Sequence, residues 1–345
     1  MLSWFDSNQR ELPWRSNRDP YRVWISEIML QQTRVDQARP YFERFMASFP
    51  TVSVLASEEL DAVLKHWEGL GYYSRARNIH AAANIVREHY GGYLPDDPDS
   101  LRQLPGIGPY TAGAISSIAF GRPVPAVDGN VVRVLSRLFM VDMDTRSSRD
   151  RRDAEPLANR LVDPQRPGDF NQSLMELGAT ICTPYTPACS RCPIQSSCMA
   201  YRSERVDDFP VRVERKRAPI VNHIAALAIN GNGKILMVRR PTEGLLGGLW
   251  EVPQESLADE ARPEEAAVLM MQKYDCTRVR TADLGMVRHA YSHFKVSATV
   301  FRIDVDCPHG DSETRKWMLP EQIDELATTG ITKKMLGLLT GEHPQ

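Results

Sequence analysis

Two acidic residues of this chain stand where a carboxyl group could do chemistry. Glu27 lies in Trp24-Ile25-Ser26-Glu27-Ile28-Met29-Leu30-Gln31-Gln32-Thr33, and at helical spacing it shares a face with Val23, Trp24, Leu30 and Gln31. A carboxyl desolvated among such neighbours holds its proton near neutral pH, as a general acid must. The plainer reading is a partner for Arg34, or a half-exposed helix glutamate. Asp128 follows the apolar run Val124-Pro125-Ala126-Val127 and precedes Gly129-Asn130, after which a helical pattern runs from Val131 to Met140. A carboxylate there can cap that helix or face a developing positive charge.

Two further patterns bear on binding. Leu104-Pro105-Gly106-Ile107-Gly108-Pro109-Tyr110 joins two helical stretches through a Gly-x-Gly turn, with Gly106 and Gly108 supplying positive φ or close approach. Its N–H groups and the next helix N-terminus can hold a phosphate without a basic side chain. Cys182, Cys189, Cys192 and Cys198 form a C-x6-C-x2-C-x5-C set in a proline-containing stretch. In a reducing compartment such a set reads as metal ligands, and ligand count alone admits zinc or an iron–sulfur cluster. Cys276 and Cys307 lie far off and read as ordinary core or surface residues.

The elements that must position these groups fall into two textures. Up to about Tyr201 the pattern is helical, with Tyr21 to Phe49 broken at Pro40, then Glu58–Trp67, Ser74–Tyr90, Ser100–Leu104, Tyr110–Phe120, Val131–Met140, Ala154–Leu161 and Phe170–Ile181. Past a charged, proline-containing seam, strands are expected at His223–Ile229 and Lys234–Arg239 around Asn230-Gly231-Asn232-Gly233. Val279–Val287 and Phe294–Val305 follow as strands, with helices at Pro263–Tyr274 and Glu321–Leu339. At 345 residues the chain is expected to form two domains: an all-α domain over 1–203 with a metal loop at 182–198, and an α+β domain over 220–345. Residues 204–219 read as the linker, where Arg212, Arg215, Lys216 and Arg217 are either DNA contacts or a solvated charge run. A net charge of −2 gives nucleic-acid binding no general support, so any grip on DNA must be local. No apolar run is long enough to span a membrane and no signal peptide is evident, so a cytosolic protein is expected.

Hairpin, spacer and Val127-Asp128-Gly129-Asn130 together resemble the helix-hairpin-helix DNA glycosylases of the endonuclease III superfamily. The resemblance implies a six-helix barrel module plus a [4Fe–4S] module held by Cys182, Cys189, Cys192 and Cys198, with Arg191 near DNA phosphates. It also implies that Asp128 faces the sugar of a flipped nucleotide. Ser26-Glu27-Ile28-Met29-Leu30-Gln31-Gln32-Thr33 is similar to the adenine-specific branch, where this glutamate is the proton donor. On that resemblance Trp14, Arg15, Leu30 and Gln172 line the adenine pocket, and Gln32 and Thr33 contact the opposite strand. Leu70 and Tyr72, in Gly69-Leu70-Gly71-Tyr72-Tyr73-Ser74-Arg75, enter the duplex beside the lesion. Tyr110 stands where lyase-competent relatives carry a lysine, so the expected enzyme is monofunctional, with Tyr110 and Asn130 orienting the acids.

Gly247-Gly248-Leu249-Trp250-Glu251-Val252-Pro253 resembles the opening of a Nudix box, but the catalytic glutamate helix does not follow. The resemblance implies a Nudix-like domain that reads 8-oxoguanine through Ser292, with Tyr291 and His293 beside it. A metal pair of His289 and His293 fails, because the stretch reads as strand and no third ligand is evident. The activity implied is hydrolysis of the N-glycosidic bond of adenine opposite 8-oxoguanine or guanine in duplex DNA, by a monomer in a bacterial cytosol. The alternatives are a bifunctional pyrimidine-lesion glycosylase and AP lyase, or a non-enzymatic damage-binding iron–sulfur protein.

Overall fold

A computed structural model describes residues 1–211, 218–258 and 260–341. Arg212, Arg215, Lys216 and Arg217 of the expected linker lie outside the described residues. The first part of the chain is helical: α1 Leu2–Asn8, α2 Pro20–Leu30, α3 Val35–Ser48, α4 Val52–Ser57, α5 Leu60–Trp67, α6 Ser74–His89 and α7 Pro98–Arg102. It continues with α8 Pro109–Ile118, α9 Gly129–Phe139, α10 Ser148–Asn159, α11 Pro167–Thr180 and α12 Met199–Arg202.

Several boundaries follow from local chemistry. The Asp19 side chain accepts from the Arg22 N–H with Pro20 at the first helical position, which starts α2. The break expected at Pro40 falls earlier: Gln32 takes φ 58° and ends α2, whereas Pro40 is accommodated inside α3. A left-handed residue interrupts the chain direction outright, while a proline costs one hydrogen bond that the rest of the helix outlasts. α10 begins at Ser148 rather than Ala154, because Ser147 caps it by accepting from the Asp150 N–H. α1, missed in the sequence, is short and carries Phe5 into the core.

Past the described gap come β1 Ile220–Ile229, β2 Ile235–Arg239, β3 Trp250–Glu251, β4 Gln254–Ser256, α13 Pro263–Gln272, β5 Thr277–Ala290, β6 Lys295–Asp306, β7 Arg315–Met318 and α14 Gly330–Thr340. They build a seven-stranded mixed sheet in the order β3-β2-β1-β6-β5, with β4 also paired to β1 and β7 to β2. β1 and β6 run parallel from Ile220↔Lys295 to Ile229↔Asp304, and β5 and β6 form a long antiparallel hairpin. On one face Met270 and Met271 of α13 pack on Ile224, Ala226, Phe301 and Ile303. On the other, Ile331 and Met335 of α14 pack on Ala225, Leu227, Trp250 and Val300. The helix expected over Glu321–Leu339 is divided into a 3-10 turn at Pro320–Glu325 and α14, whose N-cap is Thr329. Contrary to the sequence reading, Cys276 and Cys307 are joined in a disulfide that closes the open end of the β5–β6 hairpin. Their separation of 31 residues hid the pairing, which only the strand register makes adjacent.

The chain divides into two compact units: Met1–Glu58 with Asn78–Arg215, and Glu59–Arg77 with Lys216–Gln345. The segment Glu59–Arg77 is tied into the second unit through Glu68, which accepts from the Thr328 N–H and hydroxyl, both at 2.9 Å, and from Lys65 and Lys333. Arg77 donates to the Gly247 carbonyl at 2.7 Å, and Arg239 pairs with Asp61. Among the described residues no helix is long and apolar enough to cross a membrane.

Candidate active site

α2 delivers Glu27 into a nearly closed interior, leaving it 7% exposed. Across from it α8 places Tyr110, whose hydroxyl donates to Glu27 Oε2 at 2.5 Å and also reaches Met175 Sδ at 3.3 Å. Burial pushes the Glu27 carboxyl up to about 7, and the Asp128 charge adds to this; the Tyr110 hydrogen bond and the Arg15 charge pull the other way. Loss of solvation therefore wins, as it does for carboxyls walled by apolar groups. Burial and the neighbouring Glu27 charge keep the Tyr110 phenol protonated, well above its ordinary range.

Asp128 does cap α9, as the plainer reading had it: the Val131 N–H donates to Oδ1 at 2.8 Å. Its other oxygen accepts from Asn130 Nδ2 at 2.7 Å. Burial nevertheless raises the Asp128 carboxyl, outweighing both bonds and the Arg133 charge. Capping and chemistry are not exclusive here, since the same bonds that start the helix aim the carboxylate. Arg133, absent from the sequence reading, donates to Asn130 Oδ1, the Gly178 carbonyl and the Cys182 carbonyl, each at 2.7 Å. Gly178 has to be glycine, for a Cβ would stand 2.7 Å from the Asn130 Cβ.

Beside Glu27, the 3-10 turn Pro13–Arg15 buries Trp14 against Phe42 and holds Arg15 over the Phe5 ring. Arg15 Nε donates to Gln172 Oε1 at 3.1 Å, so these two expected pocket residues do meet. Leu30 is partly exposed at the end of α2, followed by exposed Gln32 and by Thr33. The hairpin between α7 and α8 is exposed at Gly106, with φ 78°, and at Gly108, which occupies the N-cap of α8.

The four thiols Cys182, Cys189, Cys192 and Cys198 line one pocket with Arg137, Ile181 and Gln195. Arg137 Nη1 lies 3.2 Å from Cys182 Sγ, and its guanidinium also donates to the Thr183 and Phe209 carbonyls. Among the described residues no His, Cys, Asp or Glu set is gathered tightly enough to hold one metal ion. The four thiols wall one shared space, and the Arg137 charge beside Cys182 suits thiolate ligands.

In the second unit, Tyr291, Ser292 and His293 occupy the closed tip of the β5–β6 hairpin, where the Tyr291 N–H donates to the Phe294 carbonyl. Ser292 is thus a turn residue just beyond β5, not part of a strand. The segment Gly69–Arg75 belongs to the same unit and bends through positive φ at Gly69, Gly71 and Tyr72. Tyr72 is 37% exposed and its hydroxyl lies 2.5 Å from Ser292 Oγ, whereas Leu70 and Tyr73 are buried. Arg75, to which the sequence reading assigned no role of its own, underpins the bend by donating to the Leu70 and Gly71 carbonyls and stacking on Trp67 and Tyr72.

Residues 25–159 match the family model of the HhH-GPD superfamily of base excision DNA repair proteins, and residues 224–338 match the NUDIX domain. The chain is 37% identical to the adenine DNA glycosylase of Mus musculus, covering 97% of this chain and 76% of that one. It is 36% identical to the adenine DNA glycosylase of Homo sapiens, over 100% and 74%. Among solved structures it resembles a thermostable thymine-DNA glycosylase, with TM-score 0.54 and 30% identity over 59% of this chain and 93% of that one. Endonuclease III in a non-covalent DNA complex shares the fold, with TM-score 0.50 and 23% identity over 59% and 94%.

Proposed function

This chain belongs to the adenine DNA glycosylase family, and on that premise we propose that it hydrolyses the N-glycosidic bond of adenine mispaired with 8-oxoguanine or guanine. The observation that carries the reading is the buried Glu27–Tyr110 pair with Asp128 acting on the same carboxyl. Adenine is a poor leaving group until it is protonated. Glu27, held near neutrality by burial, gives its proton to N7 of the flipped base as the bond to C1′ breaks. Tyr110 occupies one carboxyl oxygen and leaves the other to carry that proton.

The sugar then bears oxocarbenium character, and Asp128 stabilises or captures it, as a carboxylate does in glycosidases. Asn130, itself held by Arg133, fixes the Asp128 oxygen it donates to. Water ends the reaction at an abasic site. Tyr110 offers no amine for a Schiff base, so strand cleavage is not part of the cycle. Trp14, Arg15, Leu30 and Gln172 form the adenine pocket, and Gly106 and Gly108 present N–H groups to a phosphate. In this reading the helical unit carries the excision chemistry, with Gln32 and Thr33 on the opposite strand. The sheet unit, which includes Glu59–Arg77, reads the opposite base through Ser292, with Tyr291, His293 and Tyr72 around it. Leu70 supports the wedge from within rather than entering the duplex, since it is buried.

Cys182, Cys189, Cys192 and Cys198 would hold a [4Fe–4S] cluster. The shared pocket and the Arg137 contact fit it, and bound there it would fold the loop rather than react.

The test is single-turnover adenine release from duplexes carrying A:8-oxoguanine, A:G and A:C, with wild type and Glu27→Gln. Fastest release opposite 8-oxoguanine, lost in the variant, is expected; release from none of them rejects the reading. The thymine-DNA glycosylase neighbour keeps pyrimidine lesions as the second reading, which release of thymine rather than adenine from mispaired duplexes would reveal.

A further inference from the structure

Glu176, on α11, is a carboxylate with 1% exposure that the excision chemistry does not use. It is not a bystander to its surroundings. Arg10 Nε donates to Oε1 at 2.6 Å and Arg10 Nη2 to Oε2 at 3.1 Å, while Arg15 Nη2 donates to Oε2 at 2.9 Å. Arg15 is committed at every other edge as well. Its Nη1 donates to the Arg10 carbonyl at 3.1 Å, its Nε to Gln172 Oε1, and its plane lies on the Phe5 ring. Gln172 in turn donates through Nε2 to the Gly168 carbonyl, so both ends of its amide are spoken for and its flip is fixed.

We propose that Glu176 is a positioning residue for the excision step: it clamps Arg15 against the base pocket, fixing the aim of Gln172 and the positive charge that Glu27 experiences. The proposal rests on Glu27 being the proton donor. The groups around that acid are Tyr110 on α8, Asp128 ahead of α9 and Arg15 on the Pro13–Arg15 turn. Of these, Arg15 is the cation and lowers the Glu27 carboxyl against the effect of burial. Glu176 keeps its own charge because Arg10 and Arg15 outweigh the burial that opposes it. A carboxylate opposite Arg15 therefore mutes the pull of Arg15 on Glu27.

Neutralising either partner should move the acid in opposite directions. In Glu176→Gln the Arg15 charge is uncompensated, Glu27 releases its proton at lower pH, and the alkaline limb of the excision profile moves toward acid. Above that limb the rate should drop roughly threefold to tenfold beyond any loss seen at mildly acid pH. In Arg15→Met the cation is gone and the limb should move toward alkali, while Glu176→Asp, which keeps the charge, should hold the wild-type limb. The experiment is single-turnover adenine release from an A:8-oxoguanine duplex across pH, with wild type, Glu27→Gln and these three variants as full-length protein. Opposite shifts support the proposal. An equal loss for Glu176→Gln at all pH values, or an unmoved limb in Arg15→Met, overturns it; the second result needs no Glu176 variant to fold. A wild type that releases no adenine, or whose limb survives Glu27→Gln, removes the premise instead.

Discussion

In the helical unit, Glu27, Tyr110 and Asp128 are held by helix starts, short hydrogen bonds and loss of water. In the sheet unit, Tyr72 and Ser292 meet through one hydroxyl pair at an exposed hairpin tip. The first arrangement tunes proton affinity, because low polarity near a carboxyl shifts its titration strongly. The second offers shape and a donor or acceptor that a partner molecule can exchange for Tyr72. On the proposed function, chemistry belongs where the protein excludes water, and recognition where a ligand must be able to compete.

Removing the buried carboxylate should have the largest consequence. Asp128→Asn is expected to cut adenine release on the order of 10³-fold or more while duplex binding persists. Normal turnover by that variant would remove Asp128 from the mechanism and the contrast with it. A smaller effect comes from pH, because the role proposed for Glu27 requires its protonated form. Single-turnover release should fall as pH rises through about 7, by about tenfold for each further unit. A flat profile there would mean that another group supplies the proton.

Stability sharpens the same contrast. The folded Glu27 carboxyl is raised above the ordinary carboxylate range by burial. Its contribution is therefore fully present in acid, below the unfolded value, and is lost as pH rises through about 7. Glu27→Gln should then be the more stable protein at alkaline pH, by on the order of 2 kcal/mol in urea unfolding, with the advantage fading in acid. Equal denaturation midpoints at both pH values would contradict a desolvated Glu27. At the exposed tip the effect should be smallest. Ser292→Ala should narrow the preference for A:8-oxoguanine over A:G by roughly fivefold, the worth of one hydrogen bond, with A:G release unchanged. Equal losses on both duplexes would make Ser292 a structural turn residue.

Residue type and spacing alone were enough to indicate the Gly106–Gly108 hairpin, the Asp128 cap and the four-cysteine set, whereas for Glu27 they offered a general acid or a plain helix glutamate, and the resemblance made the choice. Each of the first three depends on local pattern: glycines at a turn, a carboxylate at a helix start, thiols within one loop. The β1–β2 hairpin was likewise legible from Asn230-Gly231-Asn232-Gly233, because turn chemistry is local. The sequence could not say where α2 ends. Gln32 in a left-handed conformation broke it, while Pro40 was carried inside α3, since packing of Phe42 and Phe45 holds that helix across the missing bond. Nor could it pair Cys276 with Cys307, or bring Arg133 to the Gly178 and Cys182 carbonyls, or place Glu176 between Arg10 and Arg15. Such partners lie far apart along the chain or on different elements, and no residue pattern marks them. Tertiary packing decided which charged groups share a dry space, and the proton affinity of Glu27 follows from that company rather than from its neighbours in sequence.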